Sequence, residues 1–515
     1  MGWIADRVDP PPSTRASREF ALLLFPALLL HMSLVKNEEH PVVFLRLVWV
    51  DVGGVRRCRA IPLFAHASRR AAPEGRAIPI VDLSRARKFL YHTSRMALLC
   101  FFLPCYGDEG LVLGAWERGD VVLSPAPGPA VKLPGSCDWL AVSTIHVDGP
   151  ARTPYPWCPR ALLHGACERL RRVFGVCLAV GFETEFVLLD AVTKQGLESS
   201  VYCQTSGFDV AAEVLREMTS ALQACGQTVL HVHGESAPGQ FEIVTSHSDD
   251  VVGQADAFVV RQEVIQRVAR KHGLLASFLP KIWAAQGGTA SHVHFSIKSL
   301  DKARGKMDGN APVHGELGDM LAHFMGGILN NVDSLLLHTI GSPNSWRRAQ
   351  PGCWAGAYAC WGTQNKEALL RVIDAGANHV EFKGFDGTAN PYLGLGALVC
   401  AGMAGLATAA GSSLPPPIRQ DPQHTGTSRR LPTASYEQLV KACLGNHIEE
   451  KMVRADAEGN LEHQWRESMR AHCGDDTETE FMAFFEDFAR LKMAEVERFK
   501  GMSFEDEVDL LLERY

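Results

Sequence analysis

Gly181-Phe182-Glu183-Thr184-Glu185-Phe186-Val187-Leu188-Leu189-Asp190 sets two carboxylates inside an otherwise apolar run. Alternation along a strand puts Glu183 and Glu185 on one face, with Phe182, Thr184 and Phe186 on the other. Burying two like charges without a counter-charge costs several kcal/mol. The pair therefore calls for a bound cation, a protonated carboxyl, or the plain solvent of a half-exposed edge strand.

The same i, i+2 spacing returns in Ser291-His292-Val293-His294-Phe295 and in His379-Val380-Glu381-Phe382-Lys383. Glu235 and Glu242 stand at a spacing that one regular strand could not aim together, and Pro238-Gly239 between them supplies a break that can re-aim the chain. If these segments are neighbours, five carboxylates and two imidazoles converge on one pocket. Divalent cations make that charge tolerable, and oxygen-rich ligation with one imidazole suits Mg²⁺ or Mn²⁺ better than a structural Zn²⁺.

The elements that must position these groups are legible from periodicity. Val42–Asp51 reads as a strand, Gly53-Gly54 as a turn and Val55–Leu63 as the returning strand. Segment 65–77 reads as a polar surface loop, and further short strands are expected at 111–114, 120–123 and 139–147. The proline-rich run 152–159 marks a boundary. Pro159 then opens a helix to Phe174, and strands alternate with helices at 210–224, 249–271, 317–338 and 393–410. Segment 412–432 reads as a surface loop, and 435–515 as charged helices whose charges form a solvated face.

Composition narrows the function. The chain has 515 residues, 46% of them apolar, and a net charge of −7. That is ample for a large core and leaves no basic cluster for nucleic acid. Fourteen cysteines without a Cys-x-x-Cys read as buried free thiols in a reducing compartment, hence a cytoplasmic location. The apolar run 20–30 is interrupted by Pro26 and falls short of the ~20 residues of a membrane span. Residues 1–18 have the composition of a disordered segment. There is no Gly-x-x-x-x-Gly-Lys-Ser/Thr loop, so phosphate would have to be held by metal ions and by discrete cations such as Arg348, Arg371, Lys366 and Lys383.

GFETEF, HVHGESAPGQFEI, GGTASHVHFSI, PNSWRRAQPG and HVEFKGFDGTANPYL, in that order, resemble the signatures of the glutamine synthetase family, in the variant seen in FluG-type proteins and γ-glutamyl-amine ligases. The resemblance covers the synthetase part only, with no room for an N-terminal amidohydrolase domain. It implies an α+β fold: an extension over 1–40, a β-grasp domain over 41–150, and a synthetase-type α/β catalytic domain over 151–515. It also implies a homo-oligomer of stacked rings. By the same resemblance Glu185, Glu235 and Glu242 would hold one divalent ion, and Glu183, His292 and Glu381 a second. His294 and Arg371 would contact ATP phosphate, Arg348 the substrate carboxylate, and Gly287 would begin the turn before the histidine.

Four positions depart from the family pattern, and at the first Gly287 stands where the turn before the histidine usually begins with asparagine. Lys366 and Lys383 replace arginines, keeping the charge but losing the bidentate fork. Trp354 replaces the glutamate that helps to bind and deprotonate ammonium, and no aspartate for that site is evident near 65–77. The implied activity is ATP-dependent joining of glutamate, through its γ-carboxylate, to ammonia or to an organic amine. The alternative is a catalytically weak synthetase-fold protein with a developmental or regulatory role.

Overall fold

A computed structural model describes residues 44–62, 95–97, 120–147 and 153–512, apart from 128–129, 137, 199–200, 301–316, 377, 409–413, 427–428, 432–435, 445–460 and 474–476. The expected strand at 111–114, the loop at 65–77 and the apolar run at 20–30 lie outside the described residues. The first sheet comprises β1 (Phe44–Val50), β2 (Arg56–Pro62), β3 (Arg95–Ala97), β4 (Asp120–Pro125), β5 (Val131–Lys132) and β6 (Trp139–Val147). Its order is β2-β1-β6-β4-β3 with β5 on β6, and β1 and β6 run parallel while the other pairs are antiparallel. Gly54 closes the β1–β2 turn at φ +86°, a conformation that glycine takes without strain. Arg56 on β2 fastens this sheet to the body through Glu263, Gln262 and Gln266, each at 2.7 Å.

The body holds a nine-stranded sheet. Its strands are β7 (Val176–Asp190), β8 (Val229–Gly234), β9 (Gln240–Thr245), β10 (Leu274–Ser277), β11 (Val293–Ser299), β12 (Tyr358–Thr363), β13 (Ala368–Asp374), β14 (His379–Phe382) and β15 (Arg429–Arg430). The order is β15-β12-β13-β14-β11-β7-β9-β8, with β10 also on β7; only β12 and β13 pair in parallel. β7 is the hub. Its first half lies against β11 and its second half against β9 and β10.

Helices α1 (Pro159–Phe174), α2 (Thr205–Ala224) and α3 (Val251–Lys271) follow the expected periodicity, and Asp250 caps α3 by accepting from Gly253 N. The helix expected over 317–338 is two, α4 (Asp319–Asn330) and α5 (Val332–Thr339), separated at Asn331. There the Asn331 side-chain amide donates to Gly327 O and its carbonyl accepts from Leu461 N, so the residue serves the join between helices. α6 (Pro343–Arg348) opens with a Ser342/Ser345 capping box. α7 (Pro391–Ala407) is apolar on all sides and almost wholly buried, as a central helix must be.

Segment 412–432 is not all loop: it forms α8 (Pro422–Thr425) and β15, which pairs with β12. The C-terminal helices are α9 (Tyr436–Leu444), α10 (Leu461–Cys473), α11 (Thr477–Phe499) and α12 (Phe504–Leu512). Their charges are not all solvated, because several are paired in the interior. Lys492 and Glu495 form a buried ion pair at 3.0 Å, and Glu507 holds Arg347 at 2.8 Å. Beside them His338 on α5 stacks between Phe488 (4.6 Å) and Trp465 (4.9 Å). Nor are all the thiols buried: Cys58, Cys203 and Cys353 are exposed. Among the described residues no helix is long and apolar enough to cross a membrane.

Candidate active site

β7 delivers Glu183 and Glu185 to one face of the sheet. Antiparallel pairing sets Glu185 opposite Glu242 and Glu183 opposite Val244 on β9. The break at Pro238-Gly239 is a hairpin: Gly239 sits at φ +68°, and Glu235 and Glu242 fall on its two sides. On the other flank β11 pairs with β14, and His294 lies opposite Glu381. His292 precedes β11 and is held by Glu183 N donating to its carbonyl at 3.1 Å.

The side chains of these segments come together on one face of the sheet. His292 Nδ1 lies 3.1 Å from Glu381 Oε1, 3.3 Å from Glu183 Oε2 and 3.9 Å from Glu185 Oε1. His294 Nε2 is 2.9 Å from Glu183 Oε1 but off the line that a hydrogen bond requires. Ligand atoms of Glu183, His294 and Glu381 also lie within 4.8 Å of one another, so His294 stands beside the same carboxylates as His292. Glu185 Oε2 accepts from Ala290 N (2.9 Å) and from Gln240 Nε2 (2.8 Å), which fixes its orientation.

Burial and the four other carboxylates hold the Glu242 carboxyl well above its ordinary range, and burial with Glu235 raises Glu185. For Glu381 burial acts in the same sense, but Lys383 and His292 outweigh it and hold the carboxyl well below. At Glu183 the imidazoles of His294 and His292 likewise overcome burial. Buried carboxyls shifted upward at Glu242 and Glu185, beside a buried His292 Nε2 without a hydrogen-bond partner, fit a site for divalent cations.

The cations stand around this nest. Lys383 Nζ lies 2.7 Å from Glu381 Oε1, and Arg371 Nη1 2.9 Å from Oε2, so Glu381 carries both. Arg348 is buried, donating through Nη2 to Lys383 O at 3.0 Å, with Nε unpartnered. Gly287 and Gly288 pass beneath it and the hairpin: a Cβ on Gly287 would come within 2.5 Å of Ser236 Oγ, and one on Gly288 would overlap the Arg348 side chain. Lys366 is not in the cluster. Its ammonium sits 4.6 Å above the ring of Trp354.

Trp354 is half-exposed, at φ +52°, between Gly352 (φ +73°) and Gly356 (φ +66°). Glu367 frames this loop by accepting from Gly352 N (3.2 Å) and Trp354 N (2.9 Å). Tyr202 stands edge-on to both Trp354 (6.1 Å) and His233 (5.9 Å). Beneath the sheet the wholly buried Arg261 ties β7 to β9, donating to Thr184 Oγ1 (2.7 Å), Thr245 Oγ1 and Gln227 Oε1 (3.0 Å). Sequence reasoning missed Tyr202, Glu367, Arg261, His231 and His233. For the two histidines a signal was present, since His231-Val232-His233 repeats the i, i+2 spacing used elsewhere.

A mostly antiparallel sheet that presents carboxylates and imidazoles on one face, ringed by lysine and arginine, forms a candidate metal site in an α+β domain. Residues 156–510 match the family described as glutamine synthetase, catalytic domain, and the chain belongs to that family. It is a carbon–nitrogen ligase by that membership. Type-1 glutamine synthetase 1 of Dictyostelium discoideum is 26% identical over 459 residues, 83% of this chain and 86% of that protein. The gamma-glutamylpolyamine synthetase GlnA3 of Streptomyces coelicolor is 29% identical over 467 residues, 84% and 89% of the two. The solved structure of GmaS with ADP shares the fold at a TM-score of 0.66 and 22% identity, over 91% of this chain and 96% of that one.

Proposed function

We propose that the protein is an ATP-dependent γ-glutamyl ligase whose nitrogen donor is an organic amine. The observation that carries this reading is the indole of Trp354 at the position of the ammonium-site glutamate. It has no proton acceptor to offer ammonium, yet its face already holds the Lys366 ammonium at 4.6 Å, with Tyr202 as a second aromatic wall. Similarity to a gamma-glutamylpolyamine synthetase supports the same reading.

In this scheme Glu185, Glu235 and Glu242 hold one Mg²⁺ or Mn²⁺, and Glu183, His292 and Glu381 the other. The ions supply charge neutralisation for transfer of the ATP γ-phosphoryl group to the glutamate carboxylate. Arg371 and His294 bind phosphate; Lys366, expected to join them, lies on the Trp354 ring instead. Arg348 and Lys383 steady the acid substrate, and the Gly287 turn lines its path. Ring assembly from identical subunits and a cytoplasmic location belong to the same proposal, as do the three segments 1–40, 41–150 and 151–515.

The test follows ADP release by purified protein with Mg²⁺-ATP and glutamate, across ammonia, hydroxylamine and a panel of mono- and polyamines. Turnover with amines but not ammonia supports the reading, and Trp354→Glu should then gain ammonia use. Silence with every donor, alongside measurable ATP binding, would favour the weak, regulatory protein instead.

A further inference from the structure

β8 is the last strand of the nine-stranded sheet, and His231 and His233 project from one face of it. Their rings lie 5.6 Å apart, tilted by 34°. His233 is the register partner of Glu242 across the hairpin. His231 Nε2 and His233 Nδ1 flank the same oxygen, Glu242 Oε1, at 4.0 and 3.9 Å. These separations are too long for hydrogen bonds. They suit two ligands that share an ion: two donors each about 2.1 Å from a metal stand ~3.0–4.2 Å apart, depending on geometry. Ligand atoms of all three residues lie within 4.8 Å of one another. The far nitrogen of His233 is tied to Glu235 Oε1 at 3.0 Å, which fixes the ring's orientation as a carboxylate does behind a metal-binding histidine. His231, more than half exposed, leaves the outer side open for water or a fourth ligand.

We propose that His231, His233 and Glu242 form a separate site for a borderline transition-metal ion such as Zn²⁺, on the rim of the carboxylate nest. Two imidazoles and one carboxylate prefer such ions to Mg²⁺, whose affinity rests on oxygen. The site shares Glu242 with the carboxylates proposed to hold Mg²⁺, so an ion bound here draws that side chain outward and inhibits the enzyme. The inference needs only the geometry of the β8–β9 hairpin and does not depend on which amine is the donor.

The experiment is calorimetric titration of ZnCl₂ into metal-stripped protein that has been resaturated with Mg²⁺, comparing wild type with His231→Ala. His231 has no role in the proposed ligase chemistry and its side chain is exposed, so the variant should fold and keep its Mg²⁺-induced thermal shift. The expected result is one Zn²⁺ per chain in wild type, weakened about tenfold or more by the substitution, with Co²⁺ showing the corresponding loss of its visible absorption. Equal Zn²⁺ affinity in both proteins would place the ion among the carboxylates and overturn the proposal. Absence of Zn²⁺ binding to wild type in Mg²⁺ would overturn it equally.

Discussion

His338 is wholly enclosed between Phe488 and Trp465, and its Nδ1 has no hydrogen-bond partner. Burial, reinforced by the nearby Lys492 ammonium, pushes its pKa down from 6.5 to about 3. An unfolded chain takes up the proton near pH 6.5, whereas the folded chain resists it until about pH 3. Throughout that interval the unfolded state binds more protons. Stability is therefore complete above pH 6.5 and is lost as the pH falls toward 3. The linkage integral gives a loss of about 1.4 kcal/mol at pH 5.5 and about 2.7 kcal/mol at pH 4.5, approaching about 5 kcal/mol below pH 3. His338→Phe keeps a flat ring in the stack and removes the titrating group. Urea unfolding of both proteins at pH 7.5, 5.5 and 4.5 isolates this term, because every other titrating group is common to the two. The wild-type protein should lose about 2.7 kcal/mol more than the variant between pH 7.5 and 4.5. Parallel losses would show that His338 protonates as readily folded as unfolded, and the argument from its enclosure would fail.

Glu381→Gln removes the charge that Lys383 and Arg371 share, leaving a buried ammonium without a counter-ion. Stability should fall by about 3 kcal/mol, and the thermal upshift on adding Mn²⁺ should shrink; an unchanged unfolding midpoint would mean that those cations relax into solvent. Gly405→Ala forces a methyl group into the backbone of α4 at His323 and Gly327. The urea midpoint should drop by an amount equivalent to about 1–3 kcal/mol, with Mn²⁺ binding preserved, and a neutral outcome would show that α4 and α7 can part at small cost.

Much of the site was legible because its geometry is written in strand alternation. Glu183 and Glu185 share a face because the period is two, and Gly239 allows Glu235 and Glu242 to meet around a hairpin. What could not be read depended on contacts between distant segments. Nothing local to Lys366 says that its ammonium lies on an indole twelve residues earlier rather than beside Arg371. Arg261 lies within an amphipathic helix, where an arginine suggests a solvated position; only the fold shows it threaded beneath β7 to reach Thr184. The break at Asn331 was hidden by an uninterrupted apolar period on both sides, and the interior ion pairs of α11 and α12 were hidden by their charge.

The loop around Trp354 has a consequence for how such a site changes over descent. Its path is fixed by two glycines in left-handed conformations and by the Glu367 carboxylate, which grips main-chain N–H groups. None of those constraints touches the side chain at 354, and the backbone strain of φ +52° is nearly the same for most residues with a Cβ. The frame therefore tolerates exchange of an acid for an aromatic ring without being rebuilt. A lineage can alter what that wall offers to a ligand in a single substitution while the carboxylates on the sheet stay as they are.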